Sequence, residues 1–428
     1  MLLFSKNGIR ESTSFLTLSS DHPIILHPVS SIVYALAPII FLFLLSFLAG
    51  AKLNRNNSGD NYLNLQPHLN SGERLDFLEN YFADNNRSYI KMYLEISQGI
   101  SIIRDFSAGS NATTMLCMDS NHTFFRKYAF GNDGEKLYQQ VQWIESYKDL
   151  LPLPEILRQI RTAQYCYYDM PYNSSAVGLF EYTHSMPVDK TWDIITRVLD
   201  TLENSIYQVN VRNADKTTID KYLSQKVERN LKKICDAPII KDLQQYDSII
   251  INGVSYPNLS TYKKFLSKNY LEKIFSKDRY SVIHGDLTIE NIICTRIQDG
   301  RDDFYIIDPN TGNIHDSPNL DYGKLLQSIH GGYEFLMATQ NVKYHENHID
   351  FLFTRSSVYK ELHTRLRKYM EENFGRERTR SIYFHEIIHW LRLMPYKIEK
   401  DEDRALLFYA GMLMVIHDVI QTYGDKDV

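Results

Sequence analysis

Between Ser281 and Asn310 the chain reads SVIHGDLTIENIICTRIQDGRDDFYIIDPN, and three of its residues offer chemistry rather than packing: Asp286, Asn291 and Asp308. Ile292-Ile293-Cys294 and Phe304 to Ile307 have the short apolar character of buried strands, with a polar turn at Gln298 to Asp303. A hairpin closed that way carries Asp286 and Asn291 on its incoming loop and Asp308 at its exit. A carboxylate, a carboxamide and a second carboxylate then share one edge. One carboxylate can accept or orient the proton of an attacking hydroxyl. The amide oxygen and the other carboxylate are hard oxygen donors suited to magnesium on nucleotide phosphates. That is the division of labour phosphoryl transfer requires. An ordinary polar hairpin is the plain alternative, and the joint spacing disfavours it.

The residues His284-Gly285-Asp286-Leu287-Thr288-Ile289-Glu290-Asn291 resemble the H-G-D-x-x-x-x-N catalytic loop of the aminoglycoside phosphotransferase and choline kinase family. Ile306-Ile307-Asp308-Pro309 resembles the family's I-D segment. Asp321, within Asn319-Leu320-Asp321-Tyr322-Gly323-Lys324, resembles the later Asp that braces the loop. The resemblance covers about residues 100–340, and 281–324 is its specific part. It implies an α+β, protein-kinase-like two-lobed fold, with a small β-rich N-lobe and a mostly helical C-lobe. It also implies ATP and Mg2+ as cofactors and transfer of the γ-phosphoryl group to a hydroxyl of a small molecule. In that frame Asp286 and His284 are the catalytic residues, His284 by bracing the loop. Asn291 and Asp308 are the metal ligands, and Asp321 is the structural support. Gly285 stands where most protein kinases carry an Arg, and no A-P-E segment follows Asp308, so a small acceptor is favoured over a protein. A sugar or amino alcohol is the preferred acceptor by analogy alone. A catalytically inactive kinase-like scaffold is the alternative, against which the complete Asp286, Asn291 and Asp308 set argues.

Elements upstream must supply the other half of a cleft. IIRDF, TTMLCM and TFFRKYAF between Ile102 and Phe130 read as three strands. The small-residue turn between the first two, with Gly109 and Ser110, can let backbone N–H groups approach phosphate. Lys127 on the third strand is, by order along the chain, the candidate contact for the α/β phosphates. A helix over Gly134 to Lys148 should supply its acidic partner, with Glu135 the choice and Gln139 or Gln140 as substitutes. Tyr165 to Tyr172 reads as a strand running into an extended hinge, because Pro171 forces its predecessor out of helix. Met170 and Tyr172 are there expected to line the nucleotide site. Helical patterns then cover Trp192–Tyr207, Thr217–Cys235, Leu320–Ala338, His348–Glu372 and Leu406–Thr422, and Asn252-Gly253 marks a hairpin over 249–256.

The whole chain sets wider bounds. Its 428 residues are 43% hydrophobic and 23% charged, a globular composition, and a net charge of −5 gives no global field for nucleic acid. Four dispersed cysteines form no C-x-x-C pair and suit a reducing compartment. Ser31 to Ala51 carries no charged residue and is long enough for a transmembrane helix. The expected order is therefore a loosely ordered 1–30, a membrane span at 31–51, a linker at 52–70, an N-lobe at 71–170, and a C-lobe at 171–428 with its catalytic loop at 284–291. Lys52 and Arg55 directly after the span place the C-terminal portion in the cytoplasm, where ATP is.

One motif points elsewhere. His385-Glu386-Ile387-Ile388-His389 is a literal H-E-x-x-H, which on a helix puts two imidazoles on one face as a zinc hydrolase requires. Glu399 or Glu402 would have to complete it. The pentapeptide explains nothing about residues 100–335, so packed or solvated histidines are the default reading.

Overall fold

Alternating apolar positions build the first sheet. In a computed structural model, which describes residues 96–97, 99–105, 112–120, 122–296, 302–354 and 356–425, five antiparallel strands pair in the order β1-β2-β3-β5-β4. They are β1 (Ser101–Asp105), β2 (Thr113–Met118), β3 (Thr123–Phe130), β4 (Arg158–Arg161) and β5 (Tyr165–Pro171). Helix α1 (Gly131–Tyr147) follows β3 and lays Leu137, Val141 and Ile144 against Ala129, Cys166, Tyr168 and Met170 of the sheet. Gly134 permits that approach, since a Cβ there would stand 3.0 Å from the Ala129 carbonyl and 3.1 Å from the Cys166 amide. The expected membrane span at 31–51, the linker at 52–70, and Gly109 and Ser110 lie outside the described residues.

Beyond β5 the chain is mostly helical. After β6 (Val177–Gly178) come α2 (Leu179–Ser185), α3 (Val188–Asn204), β7 (Arg212–Asn213), α4 (Lys216–Leu223), α5 (Arg229–Asp236) and α6 (Pro238–Leu243). The expected single helix over 217–235 is thus interrupted: a π-helical turn, Ser224–Glu228, joins α4 to α5. Strands β8 (Ser248–Ile251) and β9 (Val254–Pro257) make the Asn-Gly hairpin, with Asn252 at φ 50° and Gly253 at φ 79° as a tight turn of that type needs. Helix α7 (Lys268–Phe275) and β10 (Arg279–Tyr280) lead to the hairpin of β11 (Ile292–Arg296) and β12 (Asp302–Ile306), to which β6 adds a third strand.

Two further helical expectations are corrected. Leu320–Ala338 divides into α8 (Pro318–Ile329) and α9 (Tyr333–Ala338), because Gly331 lies against Trp390 and Gly332 turns with φ 66°. His348 does not begin a helix. β13 (Val342–His345) and β14 (His348–Phe351) form a second hairpin, and β14 runs parallel to β8 with His348 opposite Ile250. Long-range pairing outweighs the local helical pattern there. That four-stranded sheet, β13-β14-β8-β9, is the role of the 249–256 hairpin that its sequence did not disclose.

Helix α10 (Ser357–Ile398), broken at Gly375, and helix α11 (Glu402–Tyr423) complete the lobe. Helix α11 is long and apolar enough to cross a membrane, yet its most apolar stretch is 72% buried, with Leu406, Phe408, Leu413 and Ile416 inside the core. At about 1.5–3 kcal/mol for each large side chain withdrawn from water, core packing accounts for its composition. The architecture is α+β: a β-rich small lobe and a helical large lobe. None of the four cysteines forms a disulfide.

Candidate active site

The loop from Ile283 to Asn291 is held by what it cannot avoid burying. Asp321, in the first turn of α8, is fully buried and accepts from the amides of His284 (2.8 Å) and Gly285 (2.6 Å) and from the Tyr207 hydroxyl (2.8 Å). Burial raises its pKa above the ordinary carboxylate value, against the pull of those three donors. Gly285 takes φ 83°, and a Cβ on it would stand 2.1 Å from the Asn313 amide nitrogen and 2.3 Å from the Asn310 carbonyl. Only glycine fits this crossing of the loop with the segment after Asp308.

His284 is also fully buried. Its Nε2 meets the Ile307 carbonyl at 2.8 Å, its Nδ1 receives the Asp286 amide at 3.4 Å, and Trp143 of α1 abuts the ring edge-on. Both ring nitrogens are therefore committed. The imidazole joins the catalytic loop to the end of β12 and has no free nitrogen for proton transfer, so it is a positioning residue.

Asp286 projects from this frame with a side chain 36% exposed. Its two oxygens face different neighbours: Oδ1 lies 3.0 Å from the Lys324 ammonium and Oδ2 lies 3.4 Å from the Asn291 amide nitrogen. Burial pushes its pKa up, but the Lys324 charge prevails and holds the carboxyl below the usual carboxylate range. It is a carboxylate at neutral pH. Asn291 spends its amide nitrogen on the Asp286 carbonyl at 2.8 Å, so its oxygen is the atom available to a cation.

Asp308 sits beside Asn291 because the Ile307 amide bonds the Asn291 carbonyl at 3.0 Å. Its φ of 61° is costly for a residue with a side chain, about 1–3 kcal/mol. Neighbouring bonds enforce it: Asn310 N–H to the His284 carbonyl at 2.8 Å, and Gln140 Nε2 to the Pro309 carbonyl at 2.8 Å. The carboxylate reaches Lys127, with Nζ to Oδ1 at 2.6 Å. On β3 successive side chains alternate faces. Lys127 turns toward Asp308, whereas Arg126 turns the other way and forms a two-pronged pair with Asp169, each contact 2.7 Å.

The expected Glu135–Lys127 pair does not form. Helix α1 begins at Gly131, and its buried stripe runs through Gly134, Leu137, Val141 and Ile144. Glu135 falls off that stripe onto solvent and pairs with Arg161 at 2.7 Å. Gln140, adjacent to the stripe, instead links α1 to the segment after Asp308 and receives the Tyr168 hydroxyl at 3.2 Å. Lys324 is read in the Asp321 segment but given no role. The signal was its position three residues after Asp321, one turn along the same helical face.

Met170, Pro171 and Tyr172 line a cleft of about 850 Å³ that also contains Asn291 and Asp308. The Asp169 carbonyl is already taken by the Leu157 amide at 2.8 Å, so it is not free for a ligand. Among the described residues, the charged side chains lining this cleft are Glu155, Glu181, Glu290 and Asp308, the last of them paired with Lys127. A polyphosphate beside these acids calls for a divalent cation. Asn291 and Asp308 supply the hard oxygens such a cation prefers, so the donor set fits magnesium.

The H-E-x-x-H residues serve packing. His385 Nε2 meets Asp278 Oδ2 at 2.8 Å, Glu386 holds His330 Nδ1 at 2.8 Å, and His389 Nε2 meets the Leu320 carbonyl at 3.0 Å. The three side chains point to three separate partners, and Gly323 of α8 crosses the helix directly over His385 and Glu386. Among the described residues, Asp278, His315 and His385 form the one group of metal-type side chains within 4.8 Å of one another. Asp278 there is already saturated by His315 Nε2 (2.8 Å), His385 Nε2 (2.8 Å), Ser381 Oγ (2.6 Å) and Asn319 Nδ2 (2.9 Å).

No family model and no curated protein sequence matches the chain. Solved structures do. The chain is similar to small-molecule kinases. A thermostable aminoglycoside phosphotransferase, crystallised with AMP-PNP and hygromycin B, is 10% identical with a TM-score of 0.46, over 76% of this chain and 97% of that one. An ethanolamine kinase of Plasmodium vivax is 11% identical with a TM-score of 0.45, over 81% of this chain and 94% of that one. A fructosamine-3-kinase candidate from Haemophilus somnus is 11% identical with a TM-score of 0.41, over 73% and 90%.

Proposed function

We propose that this chain is an ATP- and magnesium-dependent phosphotransferase that moves the γ-phosphoryl group to a hydroxyl of a small molecule. The observation that carries the reading is that Asn291 and Asp308 line the cleft while Asp286 contacts Asn291 and Lys127 contacts Asp308. The acceptor hydroxyl lies against Asp286, whose carboxylate takes its proton as the oxygen attacks the γ-phosphorus and the bond to ADP breaks. Lys127 holds the α/β phosphates once it leaves Asp308. Asn291 and Asp308 are the residues that would hold magnesium, which when bound would offset the charge on the transferring group. His284, Asp321 and Gly285 fix the loop so that Asp286 arrives already oriented.

Asp286→Asn tests this. Its turnover, read as acceptor-dependent ADP release, is expected to fall by at least about a thousandfold, with Mg–AMP-PNP affinity nearly unchanged. Wild-type turnover in that variant removes Asp286 from the role of base.

We also propose that residues 31–51 tether the enzyme to a membrane with the catalytic lobes in the cytoplasm, on the strength of the uncharged run Ser31 to Ala51. Fractionation of cells expressing the full chain tests it, and recovery in the soluble fraction counts against the tether.

A further inference from the structure

A second cavity, of about 320 Å³, shares no lining residue with the 850 Å³ cleft. Lys324 forms part of its wall and touches Asp286 Oδ1 at 3.0 Å, while Asn291, in the larger cleft, touches Oδ2. The Asp286 carboxylate therefore touches a wall residue of each space, one through each oxygen.

The smaller cavity is cationic. Lys226, Arg229, Lys233, Lys324 and Arg392 line it, against the single acid Glu399. Lys226 belongs to the π-helical turn and is followed by Arg229 and Lys233 at helical spacing, so three like charges share one face. Lys226, Lys324 and Arg392 are half-buried. Among the described residues, no carboxylate forms an ion pair with Lys226, Arg229, Lys233 or Arg392. Burial and the charges of Arg392 and Arg229 lower the Lys226 pKa, as expected of an ammonium crowded by cations. Folding gathers five positive side chains here against Glu399 on the wall and the Asp286 carboxylate on Lys324, an excess of positive charge.

Resting on the phosphotransferase reading, we propose that the acceptor is a hydroxyl compound bearing a phosphate group, which seats its phosphate on Lys226, Arg229 and Arg392 and turns its hydroxyl to Asp286. Two guanidinium groups and an ammonium match the charge and the several oxygens of a phosphate ester better than they match a single carboxylate. An amino alcohol, one of the two acceptor classes favoured from sequence, is repelled by the same side chains. A plain sugar leaves their charge unanswered.

The test uses the full chain with Mg–ATP and compares glycerol 3-phosphate, glucose 6-phosphate, glycerol, glucose and choline by ADP release. Direct binding is read by calorimetry with Mg–AMP-PNP. Phosphatidylglycerol in mixed micelles is run beside the soluble esters, to separate a lipid headgroup from a free phosphate ester as the source of the phosphate. The phosphorylated polyols, soluble or lipid-borne, are expected to be turned over at least tenfold better in kcat/KM than their neutral or cationic counterparts. The double variant Lys226→Gln, Arg229→Gln is expected to lose at least tenfold in phosphate-ester affinity while binding Mg–AMP-PNP as the parent does. Equal turnover of choline or glucose, or unchanged ester binding in the double variant, overturns the acceptor assignment and leaves the kinase reading intact. Failure of the parent chain to bind Mg–AMP-PNP overturns the kinase reading, and the acceptor role falls with it.

Discussion

Lys127 on β3 and Asp308 after β12 are 181 positions apart in the chain, yet their side chains meet at 2.6 Å. This one contact joins the β-rich lobe to the catalytic hairpin, and it pairs the candidate phosphate contact with a candidate metal ligand. Removing either partner should have a different signature. Lys127→Met is expected to raise the KM for ATP at least tenfold, about 1.4 kcal/mol of lost binding, with magnesium dependence retained. Asp308→Ala is expected to abolish the magnesium-dependent part of AMP-PNP binding. Calorimetry with and without magnesium checks both, and identical magnesium curves for Asp308→Ala and the parent refute its metal role.

Gly285→Ala should act through the backbone. The added methyl collides with Asn310 and Asn313 and also meets a φ of 83°. We expect a destabilisation of more than about 1 kcal/mol together with a large loss of turnover, since the loop carrying Asp286 must shift. Denaturant unfolding and ADP release measured on the same preparation test the pairing of the two effects. A variant with normal stability and turnover contradicts the close crossing.

The two-pronged Arg126–Asp169 pair is 2% and 4% exposed, and Arg126 also lies over the Tyr167 ring at 4.1 Å. Truncating one partner strands a buried charge, so Asp169→Ala is expected to cost about 3–5 kcal/mol. By contrast, the Glu135–Arg161 pair is about half exposed on both sides. Glu135→Ala should leave kcat/KM and the unfolding midpoint unchanged, which separates it from a partner of Lys127.

His330 gives a pH dependence with a definite sign. Burial lowers its pKa, but Glu386 at 2.8 Å and Asp418 at 3.1 Å overcome that and push it up to about 10. A raised folded-state value means the stabilisation is complete below about pH 6.5, the unfolded value, and is lost as the pH rises through about 10. The stacked His363, held down to about 3 by burial and by the His330 charge, adds no compensating proton in that window. His330→Gln should therefore be clearly less stable than the parent at pH 6, by about 3 kcal/mol, and the gap should narrow toward pH 10.5. A gap constant with pH would show that His330 is neutral in the folded protein.

Features with local causes could be read directly from the residues. The three strands over 101–130 follow from alternating apolar residues, and the Asn252-Gly253 turn follows from the backbone freedom of those two residues. The spacing of Asp286, Asn291 and Asp308 on a hairpin was equally legible, because loop length and strand period fix where those residues emerge. Tertiary structure decided everything that depended on which face a helix turns inward. Gly134 brought α1 down on the sheet in a rotation that exposed Glu135 and aimed Gln140 at the Pro309 carbonyl. Packing of α8 on α10 converted His385, Glu386 and His389 from a metal-binding pattern into three separate hydrogen-bond partners, and the same α8 carried Lys324 to Asp286. Pairing of β14 with β8 replaced an expected helix with a strand. Residues far apart in the chain made these choices, and no window of sequence contains both sides of such a contact.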